Sequence, residues 1–352
     1  MQAAPSRVVV ITGGSSGIGL CTALLFARRG WRIGLIARSE PGLEAAAAAI
    51  RALGAPVATA AADVTDSAAL AAAAQRLDAA LGPPEIWINN AGVGFFGRFT
   101  DTGEDAFHQI VHTTFLGQVY GTRVALAAMT PRARGTIVGI GSELAFRGVP
   151  LQSAYSASKF ALRGFYEALR AELMHDRIPV HIAMVHPPAV NTPFFSHAGA
   201  RFDPPDSDSA PRPLPPVYQP ELVAEAIWLA VSEQRRDILV GGSSALTVAM
   251  NRLMPGVLDR VMGLAGMAVQ RTKRRDVAAL RAPALSEGTS TGTVHGPFGR
   301  EARTTSMQMW LQRNRYAIGL AGIGLAIALR SPRKPARPAR PRPPARTTGR
   351  HH

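Results

Sequence analysis

Over its first 245 residues the chain alternates short runs of β-branched residues with longer Ala- and Leu-rich stretches of helical period. Strands joined through helices close into a parallel sheet covered on both faces, because a parallel crossover needs a helix-length connection. The pattern predicts strands at 7–11, 32–37, 57–61, 86–89, 136–140, 180–186 and 238–240. Between them it predicts helices near 18–29, 41–53, 67–81, 104–130, 153–175 and 220–232. Seven strands with six intervening helices make an α/β fold, a doubly wound, Rossmann-like parallel sheet.

Two stretches break this rhythm. Residues 187–220 are proline-rich, carry the acidic run 203–208, and are too long for an ordinary connection. Long loops at the carboxyl edge of such a sheet serve as substrate lids. Beyond residue 245 the composition shifts: 245–269 is mostly apolar and broken at Pro255-Gly256, 271–299 is polar and rich in Gly, Ser and Thr, and 316–329 is apolar again. A length of 352 residues suits one α/β domain with an extension. The expected organisation is a nucleotide-binding domain at 1–245, an apolar helical extension at 246–270, a polar linker at 271–312, a short apolar helix at 313–330 and a disordered Pro/Arg tail at 331–352.

The net charge of +15 suggests a nucleic-acid binder until it is located. Residues 1–270 hold 22 Lys and Arg against 21 Asp and Glu, whereas 271–352 hold 17 against 3. The domain is therefore near neutral and the anion attraction belongs to the tail. The tail lacks interleaved aromatics, so no specific nucleic acid is expected as a partner. Cys21 is the single cysteine, which excludes an intrachain disulfide and a Cys-based metal site. The histidines fit no ligand spacing, and no metal is expected. The start of the chain lacks the charged and long apolar segments of a secretory signal.

Directly after the first strand, Thr12-Gly13-Gly14-Ser15-Ser16-Gly17-Ile18-Gly19 opens the first helix. Glycines there let the backbone approach a pyrophosphate, which the free N–H groups and the helix dipole stabilise. The spacing T-G-x-x-x-G-I-G resembles the classical branch of the short-chain dehydrogenase/reductase family. The resemblance continues with Asp63-Val64 after the third strand, an adenine contact in the family, and with Asn89-Asn90-Ala91-Gly92 after the fourth. It implies cofactor-binding roles for Thr12, Gly13, Ser15, Ser16, Gly17, Ile18, Gly19, Asp63, Val64, Asn90, Ala91 and Gly92.

An NAD site of this type has a carboxylate at the end of the second strand for the ribose 2′-hydroxyl. Here that position is Ala37, followed by Arg38, whose guanidinium suits a 2′-phosphate. NADP(H) is the expected cofactor.

Tyr155-Ser156-Ala157-Ser158-Lys159 places a phenol and an ammonium four residues apart, on one helix face. With three lysines against 36 arginines, a lysine at this spacing stands out. A nearby cation favours the phenolate, and Tyr155 then serves as acid–base group. In the family this lysine also binds the nicotinamide ribose. The resemblance further makes Ser142 the serine that orients the substrate oxygen. It aligns Thr114-Phe115-Leu116-Gly117 with the family's N-x-x-G, so Thr114 replaces an asparagine of the proton relay. It also aligns Pro187-Pro188-Ala189-Val190-Asn191-Thr192 with P-G-x-V-x-T, so Pro187, Val190 and Thr192 would meet the nicotinamide end, with Pro188 in place of glycine.

Phe95, Phe96, Phe146, Val149, Leu151, Phe194 and Phe195 flank these motifs and predict an apolar cleft for a lipophilic ketone, aldehyde or alcohol. The family's frequent homo-oligomers extend to this chain as an expectation. The alternative is a weakly catalytic NADP(H)-binding sensor or membrane scaffold, consistent with Thr114 and Pro188 but opposed by Ser142, Tyr155 and Lys159.

The apolar run 316–329 is too short to cross a bilayer as a helix. Trp310 and Tyr316 suit an interface, and 330–350 adds eight basic residues without an acid. An apolar helix beside a polybasic segment predicts reversible attachment to an anionic membrane surface. The positive-inside tendency places domain and tail on the cytoplasmic side, peripheral at the inner face.

Overall fold

The computed structural model describes residues 7–202, 209–274 and 292–315. The chain divides into two units, Met1–Trp310 and Leu311–His352, and of the second only 311–315 are described. The first unit is built on seven strands: β1 (Val8–Thr12), β2 (Arg32–Ala37), β3 (Val57–Ala61), β4 (Ile86–Asn89), β5 (Gly135–Ile140), β6 (Val180–His186) and β7 (Asp237–Leu239). They form one sheet in the order β7-β6-β5-β4-β1-β2-β3, with every pairing parallel. The order reverses between β1 and β4, and the crevice at their carboxyl ends is where such sheets bind ligands.

Alternation along β1 sorts the core into two layers. Val9 and Ile11 face helices α1 (Gly17–Arg28), α2 (Glu40–Arg51) and α7 (Pro220–Ser232) through Phe26, Ile50 and Ile227. Val8 and Val10 face α3 (Ser67–Leu81), α5 (Gly117–Met129) and α6 (Ser153–His175) through Leu77, Met129 and Tyr166. Every residue of β1 is buried, as a central parallel strand requires.

Helix α3 shows how local sequence sets an element. Asp66 caps it by accepting from the N–H groups of Ala68 and Ala69, and Gly82, at φ 89°, ends it. Leu70, Ala73, Leu77 and Leu81 form its buried face. Burying a side chain such as Leu77 contributes about 2 kcal/mol.

The predicted single helix at 104–130 is divided. Helix α4 (Glu104–Val111) passes through a π-turn at His112–Leu116 into α5. The cause is Thr114, whose hydroxyl accepts from Val93 N–H (3.1 Å) and donates to Val93 O (3.0 Å), tying the helix to the loop after β4. Gly117 follows because a Cβ there would lie 2.7 Å from Val64 Cγ2.

The loop after β6 is stitched down by three short pairings. Phe95–Phe96 pairs with Gly199–Ala200, Ala210–Pro211 with Arg271–Thr272, and Val217–Tyr218 with Ala302–Arg303. Residues 292–303, inside the stretch expected as a polar linker, thus pack on the domain. Gly17 N–H donates to Thr293 O (2.9 Å), Phe298 N–H donates to Asn191 Oδ1 (2.9 Å), and the Phe298 ring is fully buried against Phe96 and Phe195. The polar composition conceals this docking, since backbone groups, one aromatic ring and the His295–Glu221 and Glu301–Arg212 pairs carry it.

Helices α8 (Gly242–Leu253) and α9 (Pro255–Ala265) follow β7 and expose Leu246, Leu253 and Leu264. No helix among the described residues is long and apolar enough to cross a membrane. The apolar run 316–329 and the basic tail lie outside the described residues.

Candidate active site

The loop between β1 and α1 is held in shape by the loop after β4. Thr12 Oγ1 lies 3.4 Å from Ile88 O and accepts from the N–H groups of Asn90 and Ala91. Asn90 Nδ2 donates to Thr12 O and Gly13 O. Gly13 has φ 65°, and a Cβ on it would come within 2.9 Å of Ala91 Cα. A Cβ on Gly19 would stand 2.2 Å from Gly13 O, so only glycine lets α1 begin so close to the strand.

Helices α2 and α3 have side-chain caps from Ser39 and Asp66, whereas Ser16 at the start of α1 makes none. Gly17 N–H is taken by Thr293 O, and the next amides of α1, those of Ile18 and Gly19, are left for an anion, which fits a dinucleotide pyrophosphate. At the end of β2, Ala37 lines the same cavity and is followed by Arg38, 3.8 Å from Asp63 Oδ2. Asp63 also accepts from Thr65 N–H and Oγ1. No carboxylate occupies the strand end itself.

At the other end of the cavity β5 leads into Ser142, and the first turns of α6 present Tyr155 and Lys159. Ser142 Oγ accepts from Leu144 N–H at 3.1 Å. Lys159 Nζ donates to Ile140 O at 2.7 Å and sits 5.3 Å from the centre of the Tyr155 ring. Burial drives Lys159 down to about 7 and pushes the Tyr155 phenol above its ordinary range. The expected lowering of the phenol by the ammonium is not what this arrangement produces. Lys159 points its proton at a backbone carbonyl, and desolvation governs both groups.

One cavity is lined by Gly13, Ser15, Ser16, Gly17, Ile18, Arg38, Asp63, Val64, Asn90, Ala91 and Gly92. Ser142, Tyr155, Lys159, Pro187, Val190 and Thr192 line it too. Thr12, Gly19 and Thr114 stand behind the wall. Thr12 and Gly19 shape the loop, and the Thr114 hydroxyl donates its proton to Val93 O and accepts from Val93 N–H. Thr113 lines the cavity in its place, with a buried hydroxyl that finds no partner among the described residues.

Of the aromatic residues expected in the cleft, Phe194 and Phe195 line it, and Phe194 lies 5.6 Å from the Tyr155 ring. Phe96 and Leu151 instead pack around Phe195 and Phe298, and Phe146 packs edge-on against His186. Phe95 and Val149 are not in the wall. The cavity also takes Glu143, Gln152, His197 and Leu214, none of them anticipated. An acid directly after Ser142 was the one available signal for Glu143. The other three depend on how the lid folds back.

Comparison with known proteins points to one family. The family model described as short chain dehydrogenase matches residues 7–201. The uncharacterized oxidoreductase YxnA of Bacillus subtilis (strain 168) is 34% identical over 257 residues, covering 73% of this chain and 71% of its own length. A short chain dehydrogenase/reductase from Burkholderia phymatum in complex with NAD aligns with a TM-score of 0.64 at 25% identity, over 71% of this chain and 94% of that one. A metagenomic short-chain oxidoreductase in complex with NADP aligns with a TM-score of 0.55 at 27% identity, over 67% and 96%. With the sheet order, the glycine loop and the Ser142–Tyr155–Lys159 wall, these matches place the chain in the short-chain dehydrogenase/reductase family of oxidoreductases.

Proposed function

We propose that the protein is an NADP(H)-dependent oxidoreductase that interconverts a lipophilic ketone or aldehyde and its alcohol. The observation that carries this reading is the sharing of one cavity by Ser142, Tyr155, Lys159 and the uncapped start of α1. The Burkholderia phymatum and metagenomic relatives hold NAD and NADP, which supports a nicotinamide dinucleotide here. Ala37 followed by Arg38 favours the 2′-phosphate form, since an acid at that strand end would repel it. When bound, the nicotinamide supplies or accepts a hydride.

The chain's own groups handle orientation and the proton. Ser142 Oγ already accepts from Leu144 N–H, so its hydroxyl proton remains to be donated to the substrate oxygen. Tyr155, kept neutral by burial, holds the proton that this oxygen takes up on reduction and receives it back on oxidation. Lys159, fixed by Ile140 O and near 7, exchanges a proton close to neutrality and positions the ribose side of the site. Phe194, Phe195 and Leu214 give the substrate end an apolar lining.

The test is a panel of apolar ketones and aldehydes with NADPH and NADH, alongside a fluorescence titration of each cofactor. NADPH should bind at least tenfold more tightly. Tyr155→Phe should lower turnover by a factor of about 10² or more while NADPH still binds. Turnover surviving in Tyr155→Phe, or equal binding of the two cofactors, would overturn the corresponding part of the reading.

We also propose that the basic C-terminal tail attaches the enzyme to an anionic membrane surface. The excess of basic over acidic residues in 271–352 and the apolar run 316–329 support this.

A further inference from the structure

The cavity wall beside Ser142 carries a carboxyl group that hydride transfer to a simple ketone does not need. Glu143 lies in the turn Glu143–Ala145, where its N–H donates to Pro187 O (2.9 Å) and fixes it between β5 and the loop after β6. Glu143 lines the cavity together with Ser142, Gln152 and Tyr155.

Glu143 Oε2 lies 2.9 Å from Ser244 Oγ, in the first turn of α8, and Ser244 Oγ lies 3.0 Å from Val240 O. A hydroxyl has one proton, and a backbone carbonyl can only accept. Both bonds are made together when Ser244 donates to Val240 O and a protonated Glu143 donates to Ser244. Ionised, the carboxylate competes with Val240 O for that single proton. Burial acts in the same direction, raising Glu143 above the ordinary carboxylate range against the opposing effect of Ser244 alone.

No cation among the described residues compensates the carboxylate. Arg147, four positions along, directs its terminal nitrogens to Asp259 (2.7 Å) and Asn251 (3.1 Å). A neutral carboxyl group at a cavity wall, anchored on one side, still accepts a hydrogen bond from a ligand hydroxyl, and a ligand ammonium supplies the cation that its ionised form lacks.

Resting on the proposed carbonyl chemistry, we infer that Glu143 is a specificity residue that selects carbonyl substrates carrying a second hydrogen-bond donor, a hydroxyl or an ammonium, within a few bonds of the reacting carbon. The Phe194, Phe195 and Leu214 wall then takes the apolar remainder of such a molecule. The substrate class is an amphiphilic hydroxy- or amino-ketone rather than a plain hydrocarbon ketone.

The test compares three ketones of one skeleton, bearing a hydroxyl, an amine or an O-methyl ether near the carbonyl. It uses the wild type, Glu143→Gln and Glu143→Leu, reading kcat/KM and also ligand affinity for the NADPH complex of Tyr155→Phe. The affinity arm reports on Glu143 even where turnover is absent, so failure of the carbonyl chemistry and failure of this inference are distinguishable. The wild type should favour the hydroxyl- or amine-bearing ketone over the ether by roughly ten- to a hundredfold. Glu143→Leu should bring that ratio close to one. Glu143→Gln, which keeps an acceptor without charge, should retain selection for the hydroxyl and lose selection for the amine. A wild type indifferent to the donor in both readouts, or a Leu variant that keeps the preference, overturns the inference. NADPH affinity and melting temperature, followed in each variant, separate selectivity from general damage.

Discussion

At the scale of single residues, Lys159 shows how one position can serve a site and burden the fold. Only 3% exposed, it has one resolved hydrogen bond, to Ile140 O, and burial holds it near 7 rather than 10.5. Between these values the unfolded chain binds more protons than the folded one, so stability rises with pH and the cost of the buried charge is felt in full below 7. Cys21 and Tyr166, both raised to about 12 by burial, and Tyr155, raised further, act in the opposite sense above about pH 9. The denaturant midpoint of cofactor-free protein should therefore increase from pH 7 to pH 9, and Lys159→Met should flatten that increase. Parallel slopes in the two proteins would assign the effect to other groups.

At the scale of elements, the loop after β6 is held from outside as well as by its own bonds between Ala189–Asn191 and Tyr218. Asn191 accepts from Gly296 N–H and Phe298 N–H, and Phe298 fills the space between Phe96 and Phe195. Truncating a fully buried phenylalanine costs about 3 to 5 kcal/mol, which at this edge appears as local opening before global unfolding. Phe298→Ala should leave melting of the sheet nearly unchanged, raise the rate of proteolysis between 187 and 218, and weaken cofactor binding because Thr293 O no longer steadies Gly17. Unaltered cleavage of that loop would show that the pairing of Val217–Tyr218 with Ala302–Arg303 suffices without the ring.

At the scale of the whole molecule, the charge is divided between a nearly neutral domain and a strongly basic tail, and the proposed attachment rests on that division. A truncation must spare Met309, which is buried in the core, and the pairing at Ala302–Arg303. A chain ending at Arg315 should keep NADPH affinity and lose co-sedimentation with anionic vesicles at low salt. Persistent co-sedimentation would move the contact to Leu246, Leu253 and Leu264, exposed on α8 and α9.

The residue pattern alone determined the sheet, because burial on both faces demands apolar strands and capped amphipathic helices at fixed spacing. All seven strands lie within a residue of where periodicity put them, and Ser142, Tyr155 and Lys159 line one cavity. Tertiary structure decided what depends on distant backbone. The division of the helix at His112–Leu116 follows from Val93, over which local periodicity has no influence. The docking of 292–303 uses main-chain groups of Thr293, Gly296 and Phe298 beside the His295–Glu221 and Glu301–Arg212 pairs, and their partners lie far away in the chain, so composition read the segment as a linker. Glu143 became a feature of the cavity wall only when the tertiary structure brought Ser244 and Val240 O beside it.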